Sequence, residues 1–154
     1  MDITLAHTEL LSELQPYVWP RKKMTIAVDG VDDSGKSTLA RFLACWLGVP
    51  VIETDLCLME GYQEPTIDLR ILRTLIESRH RCKRPVIVEG IFILSTLEEL
   101  AIVPDYVIRV ESPGRNGSFI WASKFEAYAD KYLRPPKHNF LFNWDQPDLT
   151  SAIE

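Results

Sequence analysis

One short segment constrains the fold of this chain more than any other. It spans residues 24–40 and reads MTIAVDGVDDSGKSTLA, so an apolar run leads into a loop of the pattern G-x-x-x-x-G-K-S. The apolar run before the loop is typical of a buried strand, and the residues after it have the spacing of an amphipathic helix. A strand, a loop bounded by glycines and a helix in this order predict a phosphate-binding loop.

The residue types in this loop suit a nucleoside triphosphate. Glycine lets the backbone wrap closely around phosphate groups, and the N-terminus of the following helix presents its N–H groups to them. A lysine at the position of Lys36 reaches the β- and γ-phosphates, and a hydroxyl at the position of Ser37 binds Mg²⁺. The predicted nucleotide-binding residues are Gly30, Asp32, Asp33, Ser34, Gly35, Lys36, Ser37 and Thr38.

Composition limits the domain count and the classes of partner. With 154 residues, of which 46% are hydrophobic, the chain can bury one sizeable core, so we expect a single domain over residues 1–154. The net charge of −5 predicts neither a polymeric nucleic acid nor an anionic membrane as partner. The three cysteines form no C-x-x-C pair, and no apolar run is long enough to span a bilayer. These features predict a cytoplasmic protein with free thiols, and they specify no oligomeric state.

Hydrophobic periodicity predicts strands that alternate with helices along the chain. The predicted strands are residues 25–29, 51–52, 85–90 and 105–110, and the alternation of Phe140, Phe142 and Trp144 suggests either a fifth strand or a segment that packs on the sheet edge. The predicted helices are residues 8–15, closed by Pro16, a helix from the phosphate loop to Gly48, one beginning at Thr66 or Asp68, and residues 95–100 and 118–133. This alternation predicts an α/β fold, a three-layer, doubly wound parallel sheet of the P-loop NTPase or kinase type.

The helix patterns also predict which side chains are buried. We expect the aromatic residues Phe42 and Trp46 in the core, and a basic run at residues 21–23 that is solvated at the entrance to the first strand. The residues expected to face inward on the later helices are Ile71, Leu72, Leu75 and Ile76, and then Phe119, Ala122, Phe125, Ala129 and Tyr132.

Three segments together resemble a known family. They are the phosphate loop with the Ile26-Ala27-Val28-Asp29 run before it, Asp55 after the second predicted strand, and Val88-Glu89-Gly90-Ile91 at the end of the third. They resemble the uridine kinase-like branch of the P-loop nucleoside and nucleotide kinases, over residues 23–110. The resemblance implies a kinase that uses ATP and Mg²⁺ and phosphorylates a hydroxyl group of a small-molecule acceptor.

The same resemblance implies roles for two carboxylates. Asp55 matches the family residue that accepts the proton of the acceptor hydroxyl or holds Mg²⁺ through water, and Glu89 matches the acid that supports the metal with Ser37. Phosphoryl transfer also needs positive charge on the transferred group, which Lys36 and Arg115 could supply. The predicted catalytic residues are thus Lys36, Asp55, Glu89 and Arg115, and the predicted metal site is Ser37, Asp55 and Glu89. The alternative interpretations are that Asp55 is a turn or helix-capping aspartate, that Glu89 only orders a loop, and that Arg115 is a solvated turn residue.

The chain departs from the family pattern at three places. Asp33 stands where the family usually has glycine, and the interval from Asp55 to Pro85 is too short for both a crossover helix and an extended substrate-binding hairpin. The region of the lid offers only Arg115. These departures leave two alternatives to a kinase, a nucleotide-binding module without turnover and an NTP hydrolase. The hydrolase is disfavoured because the chain has no N-K-x-D sequence.

Overall fold

Helices and strands alternate along the chain in a computed structural model, which describes residues 3–62, 66–115 and 117–144. The helices are α1 (Leu5–Val18), α2 (Lys36–Leu47), α3 (Leu69–Arg81), α4 (Ile93–Glu99) and α5 (Ala122–Tyr128). The strands are β1 (Met24–Asp29), β2 (Val51–Glu53), β3 (Leu58–Met59), β4 (Thr66–Ile67), β5 (Pro85–Gly90), β6 (Tyr106–Glu111) and β7 (Phe140–Asn143). Single 3₁₀ turns span Thr54–Cys57 and Phe119–Trp121, and a π turn spans Ala129–Leu133.

A five-stranded parallel sheet with the order β2-β5-β1-β6-β7 forms the centre of the fold. The central strand β1 is buried along its whole length and places Asp29 between Gly90 of β5 and Arg109 of β6. Because parallel strands all end at one edge, the phosphate loop and the residues after β2, β5 and β6 meet there. The predicted α/β fold is confirmed, and the fifth strand expected from the aromatic alternation is β7.

Helices cover both faces of the sheet and give it three layers. On one face, α1 and α2 pack on apolar side chains of β1, β6 and β7, with Leu10, Leu14 and Leu43 fully buried. On the other face, α3 and α4 pack on β5, with Leu72, Ile76 and Leu97 fully buried. Within the described part of the chain, no helix combines the length and apolar character needed to cross a bilayer.

The first helix is longer than the sequence predicts. It runs through Pro16, which lies inside the last turn, instead of ending before it. A proline inside a helix removes one hydrogen bond and strains the preceding turn. Here Leu14 and Val18 on either side are fully buried, and their packing keeps the helix intact.

Several predicted core positions are exposed. Phe42 is buried as expected, but Trp46 is 61% exposed, and on α3 the side chains of Ile71 and Leu75 face solvent. On each helix the predicted apolar stripe is wider than the part of the helix that the sheet covers, so only the centre of the stripe is buried.

The segment at residues 118–133 also differs from its prediction, because it is not one regular helix. It changes from a 3₁₀ turn to α5 and then to a π turn, and each change rotates the following side chains about the axis. Phe119 is consequently 87% exposed, and Tyr128, which lies outside the predicted stripe, is the buried residue.

The interval between β2 and β5 contains both a helix and a hairpin. Strands β3 and β4 pair antiparallel, Leu58 with Ile67 and Met59 with Thr66. Asp68 then starts α3 as its N-cap, where its carboxylate accepts hydrogen bonds from the N–H groups of Arg70 and Ile71. The hairpin has only two residues in each strand, in agreement with the prediction that this interval is too short for both a crossover helix and an extended hairpin.

Candidate active site

The phosphate loop packs closely on the protein behind it. A Cβ atom at Gly30 would overlap the hydroxyl of Ser34, and one at Gly35, whose φ is +84°, would overlap the indole of Trp144. Ser34 is itself buried, so Gly30 and Ser34 support the loop from behind. The remaining predicted residues, Asp32, Asp33, Gly35, Lys36, Ser37 and Thr38, line a cavity of about 430 Å³ on the outer side of the loop.

Asp33 is held in a backbone conformation that favours glycine. Its φ is +58°, in the left-handed region, and its side chain is exposed. Aspartate tolerates this region better than most residues do, but at some cost. The carbonyl oxygen of Asp33 accepts a hydrogen bond of 3.2 Å from Nη1 of Arg115. The structure therefore brings the predicted lid arginine to the phosphate loop.

Asp32 joins the same loop to the segment before α5. Both of its carboxylate oxygens accept from the backbone N–H of Ser118, each at 2.9 Å. A Cβ at the preceding Gly117, whose φ is +77°, would meet the Asp32 carboxylate and the ring of Phe125, so glycine is required for this contact. Asp32 thus fixes the distance between the phosphate loop and the segment before α5.

Lys36, Ser37 and Glu89 form a polar group at the start of α2. The ammonium of Lys36 donates to the carbonyl of Val31 at 3.4 Å, and the hydroxyl of Ser37 donates to Oε1 of Glu89 at 3.1 Å. Glu89 is only 1% exposed. Burial raises the pKa of Glu89, while the charge of Lys36 and the bond from Ser37 oppose that rise.

The second carboxylate oxygen of Glu89, Oε2, is buried and has no hydrogen-bond partner among the described residues. A buried carboxylate oxygen without a partner is costly, so its position beside a hydroxyl suits a cation or a water molecule that a cation holds. Magnesium usually takes one or two carboxylates, with water and phosphate oxygens for the rest. No group of three or more His, Cys, Asp or Glu side chains in the described ranges could hold a metal ion alone. Ser37 and Glu89 fit Mg²⁺ that arrives with a nucleotide.

Asp55 lies where two cavities meet. It is exposed on the 3₁₀ turn after β2 and lines the 430 Å³ cavity together with Lys36, Ser37 and Arg115. It also lines a neighbouring pocket of about 700 Å³ between the β3–β4 hairpin, α4 and the start of α5. Asp55 and Ile91 are the residues that both cavities share.

The 700 Å³ pocket, here called the acceptor pocket, combines apolar walls with polar groups. Its apolar residues include Leu58, Met59, Ile67, Phe92 and Trp121. Its polar residues include Thr54, Asp68, Arg70, Ser95, Thr96, Glu99 and Lys124. Asp68 and Arg70 form an ion pair of 3.1 Å, so their charges offset each other at the wall.

A buried polar network lies behind the site, and little in the sequence indicates it. The carboxylate of Asp29 is 1% exposed and accepts from Nη1 of Arg109 at 2.7 Å and from the hydroxyl of Tyr128 at 2.9 Å. The Tyr128 hydroxyl in turn accepts from the N–H of Leu94 at 3.1 Å. Burial raises the pKa of Asp29, and Arg109 and Tyr128 oppose that rise. This network ties the end of β1, the start of α4 and the end of α5 together.

The packing role of Thr54 is also not predicted from the sequence. It is buried, and a Cβ at Gly90 would overlap its hydroxyl, so Gly90 allows the turn after β2 to approach β5 closely.

A charged residue at the end of an apolar strand could have marked Asp29. No sequence signal links Asp29 to Tyr128, because 99 positions separate them.

The strand order and the phosphate loop after the central strand define a P-loop kinase fold. Solved structures share it. A possible uridine kinase from Bacillus stearothermophilus superposes with a TM-score of 0.61 at 15% identity, over 89% of this chain and 97% of that one. A sugar kinase from Janibacter sp. HTCC2649 gives 0.53 at 21% identity, over 83% of this chain and 89% of that one. A gluconokinase from Sinorhizobium meliloti 1021 gives 0.52 at 21% identity, over 84% and 87%.

No protein-family model matches this sequence, and no curated protein sequence matches it significantly. At 15–21% identity, the structural likeness establishes the fold. The predicted resemblance to P-loop kinases of the uridine kinase type is confirmed at that level.

Proposed function

We propose that this protein is a kinase that transfers the γ-phosphoryl group of ATP to a hydroxyl of a small metabolite. The observation that carries the proposal is the junction of two cavities at Asp55 and Ile91. One cavity has the residues of a phosphate site, and the other has the size and mixed lining of a small-molecule site. Three solved structures with the same fold are described as kinases of small molecules, which supports the same class of activity for this chain.

On the nucleotide side, the loop backbone and Lys36 would bind the β- and γ-phosphates. Ser37 and Glu89 would hold Mg²⁺, which would offset the charge of the phosphate groups. Arg115 donates to the carbonyl of Asp33 in the loop, which supports the proposal that Arg115 approaches the transferred group when a nucleotide binds.

On the acceptor side, Asp55 would orient the hydroxyl and take its proton. The hydroxyl oxygen forms a bond to the γ-phosphorus, and the bond from that phosphorus to the β–γ bridging oxygen breaks. ADP leaves with the bridging oxygen, and the proton passes to the Asp55 carboxylate. The charge carried by the phosphate groups stays balanced by Lys36, Arg115 and the metal ion.

The lining of the acceptor pocket supports an acceptor with an apolar or planar face as well as hydroxyl groups. Phe92 and Trp121 can contact such a face, and Ser95 and Thr96 can bind hydroxyl groups. Nucleosides, sugars and vitamins with a free hydroxyl therefore form the panel to test. The short β3–β4 hairpin encloses less of the ligand than an extended one would, so we expect recognition that differs from that of uridine.

The test is ADP release from Mg-ATP with and without each member of that panel. A kinase responds to one acceptor or a few related ones, and Lys36→Ala abolishes the response. Asp55→Asn should lower kcat at least a hundredfold while the KM for ATP changes little, since its role lies in the transition state. Hydrolysis that ignores every acceptor would instead support an NTP hydrolase, and nucleotide binding without ADP release would support a binding module.

A further inference from the structure

A basic pocket lies at the edge of the sheet opposite the candidate active site. It has a volume of about 510 Å³ and sits between the amino ends of β1 and β5 and the carboxyl ends of α2 and α3. Its lining includes Trp19, Arg21, Arg79, Cys82, Lys83 and Arg84. The run at residues 21–23 was expected to be a solvated strand entrance, but Arg21 is part of this pocket.

Among the described residues, the four basic side chains of the pocket have no acidic partner. Within the described ranges, no ion pair links Arg21, Arg79, Lys83 or Arg84 to a carboxylate, although the chain as a whole carries a net charge of −5. Nε of Arg79 is buried and has no hydrogen-bond partner there. Burial lowers the pKa of Arg21, and the charges of Arg84 and Arg79 lower it further. These cations lie close enough to repel one another.

Helix capping explains only part of this cluster. Arg21 donates from Nη2 to the carbonyls of Leu47 and Gly48, at 3.1 and 2.9 Å, and so caps α2. Arg79 lies in the last turn of α3, where a cation offsets the helix dipole. Lys83 and Arg84 lie beyond that helix, and their side chains cap no helix in the part of the chain that the structure describes. Lys83 even occupies a left-handed position, with φ of +52°, where glycine would be less strained.

Trp19 gives the pocket one rigid wall. The guanidinium of Arg21 stacks on its ring at 4.0 Å from the centroid, and the indole is half exposed. This contact orders Arg21 without using up its charge, because an aromatic ring is a weak partner compared with a carboxylate. The arrangement holds the guanidinium of Arg21 in place before any anion arrives.

We propose that this basic pocket binds a small anion that carries two or more phosphate groups, at a site separate from the phosphate loop. Guanidinium groups match phosphate oxygens with paired hydrogen bonds, and several such groups around one concave surface suit a compact polyanion. A long polyanion such as nucleic acid would meet the negative charge of the rest of the chain. The proposal does not depend on the kinase activity.

Inorganic pyrophosphate is the probe, and calorimetric titration of the Lys36→Ala protein is the measurement. Lys36→Ala weakens the phosphate loop, so the remaining binding reports on the basic pocket. We expect one site in this background, weakened at least tenfold when Arg79→Gln and Arg84→Gln are added. A matched control adds Arg73→Gln and Lys137→Gln instead, which remove the same charge elsewhere and should change the affinity less than threefold. No binding by Lys36→Ala at millimolar pyrophosphate, or equal losses in both sets, would overturn the proposal.

Alkylation of Cys82 gives a readout at the pocket itself. Cys82 is exposed and lines the pocket, while Cys45 is exposed elsewhere and Cys57 is buried. In a Cys45→Ser background, saturating pyrophosphate should slow the reaction of Cys82 with iodoacetamide several-fold. An unchanged rate at saturation would contradict binding here. Stronger protection by a DNA duplex than by pyrophosphate would show that the partner is a polymer and overturn the assignment to a small anion.

Discussion

The hydroxyl of Tyr128 is the part of the buried network that one substitution can remove cleanly. Tyr128→Phe keeps the ring, which contacts Phe92 and Tyr132 at centroid distances of 5.2 and 4.8 Å. It removes the hydrogen bond to the Asp29 carboxylate and leaves the N–H of Leu94 without its acceptor. The first N–H groups of a helix have no partner within the helix, so α4 offers no replacement.

The expected loss can be built from these two contacts. A hydrogen bond to a charged group contributes about 1.5–3 kcal/mol, and a buried N–H left unpaired costs about 1–3 kcal/mol. Arg109 still pairs with the Asp29 carboxylate in the variant, so the lost hydrogen bond and the unpaired N–H of Leu94 do not add in full. We therefore expect the free energy of unfolding to fall by about 3 kcal/mol. For a chain of this length, that corresponds to a fall in Tm of about 6–12 °C.

Urea and thermal unfolding followed by circular dichroism measure this loss. Tyr132→Phe is the matched control, since its hydroxyl donates to the exposed carboxylate of Glu98 and a surface contact is worth about 0–1 kcal/mol. If Tyr128→Phe unfolds within about 0.5 kcal/mol of the wild type, or if Tyr132→Phe loses as much, the network does not join the three elements as described.

Three further substitutions test the phosphate loop and its neighbours. Asp33→Gly should tighten Mg-ADP binding several-fold in a calorimetric titration, because glycine relieves the left-handed backbone and removes a negative charge; weaker binding would contradict this. Glu89→Gln should raise Tm at neutral pH, because a folded-state pKa above the unfolded value makes the ionised carboxylate destabilising. The activity of this variant should fall at least a hundredfold, because it lacks the carboxylate proposed to hold Mg²⁺. Wild-type kcat/KM for Mg-ATP should correspondingly fall as acidification protonates Glu89 in the free protein, and a pH profile shared by wild type and Glu89→Gln would reject the role. Arg115→Ala should lower kcat at least tenfold with little change in ADP affinity, and Arg115→Lys should restore little; turnover of Arg115→Ala within twofold of wild type would remove Arg115 from the mechanism.

The parts of the fold that local pattern controls could be predicted from the sequence. Strand β1, the phosphate loop and α2 follow from a segment whose glycines and apolar spacing allow little else. The strand β7 follows from alternating aromatic residues, and Asp68 from its N-cap chemistry. The sheet edge that gathers Lys36, Asp55 and Arg115 follows from the parallel order of the strands.

The parts that depend on distant packing could not be predicted. Pro16 stays inside α1 because of buried neighbours on the sheet, and Tyr128 is buried because the segment at residues 118–133 changes its helical geometry. The basic pocket unites residues from three chain segments, at residues 19–21, 48 and 79–84, at an edge where no motif marks a site. Local pattern gives the elements, whereas contacts between elements decide which side chains they present.

The most direct test of the proposed kinase activity follows the label from γ-labelled ATP. With the acceptor that stimulates ADP release, label should appear in the acceptor in a one-to-one ratio with ADP, and Asp55→Asn should slow this transfer at least a hundredfold while still binding ATP. Label released only as inorganic phosphate, at a rate that no acceptor changes, would contradict the proposed kinase activity and identify the site as that of a hydrolase.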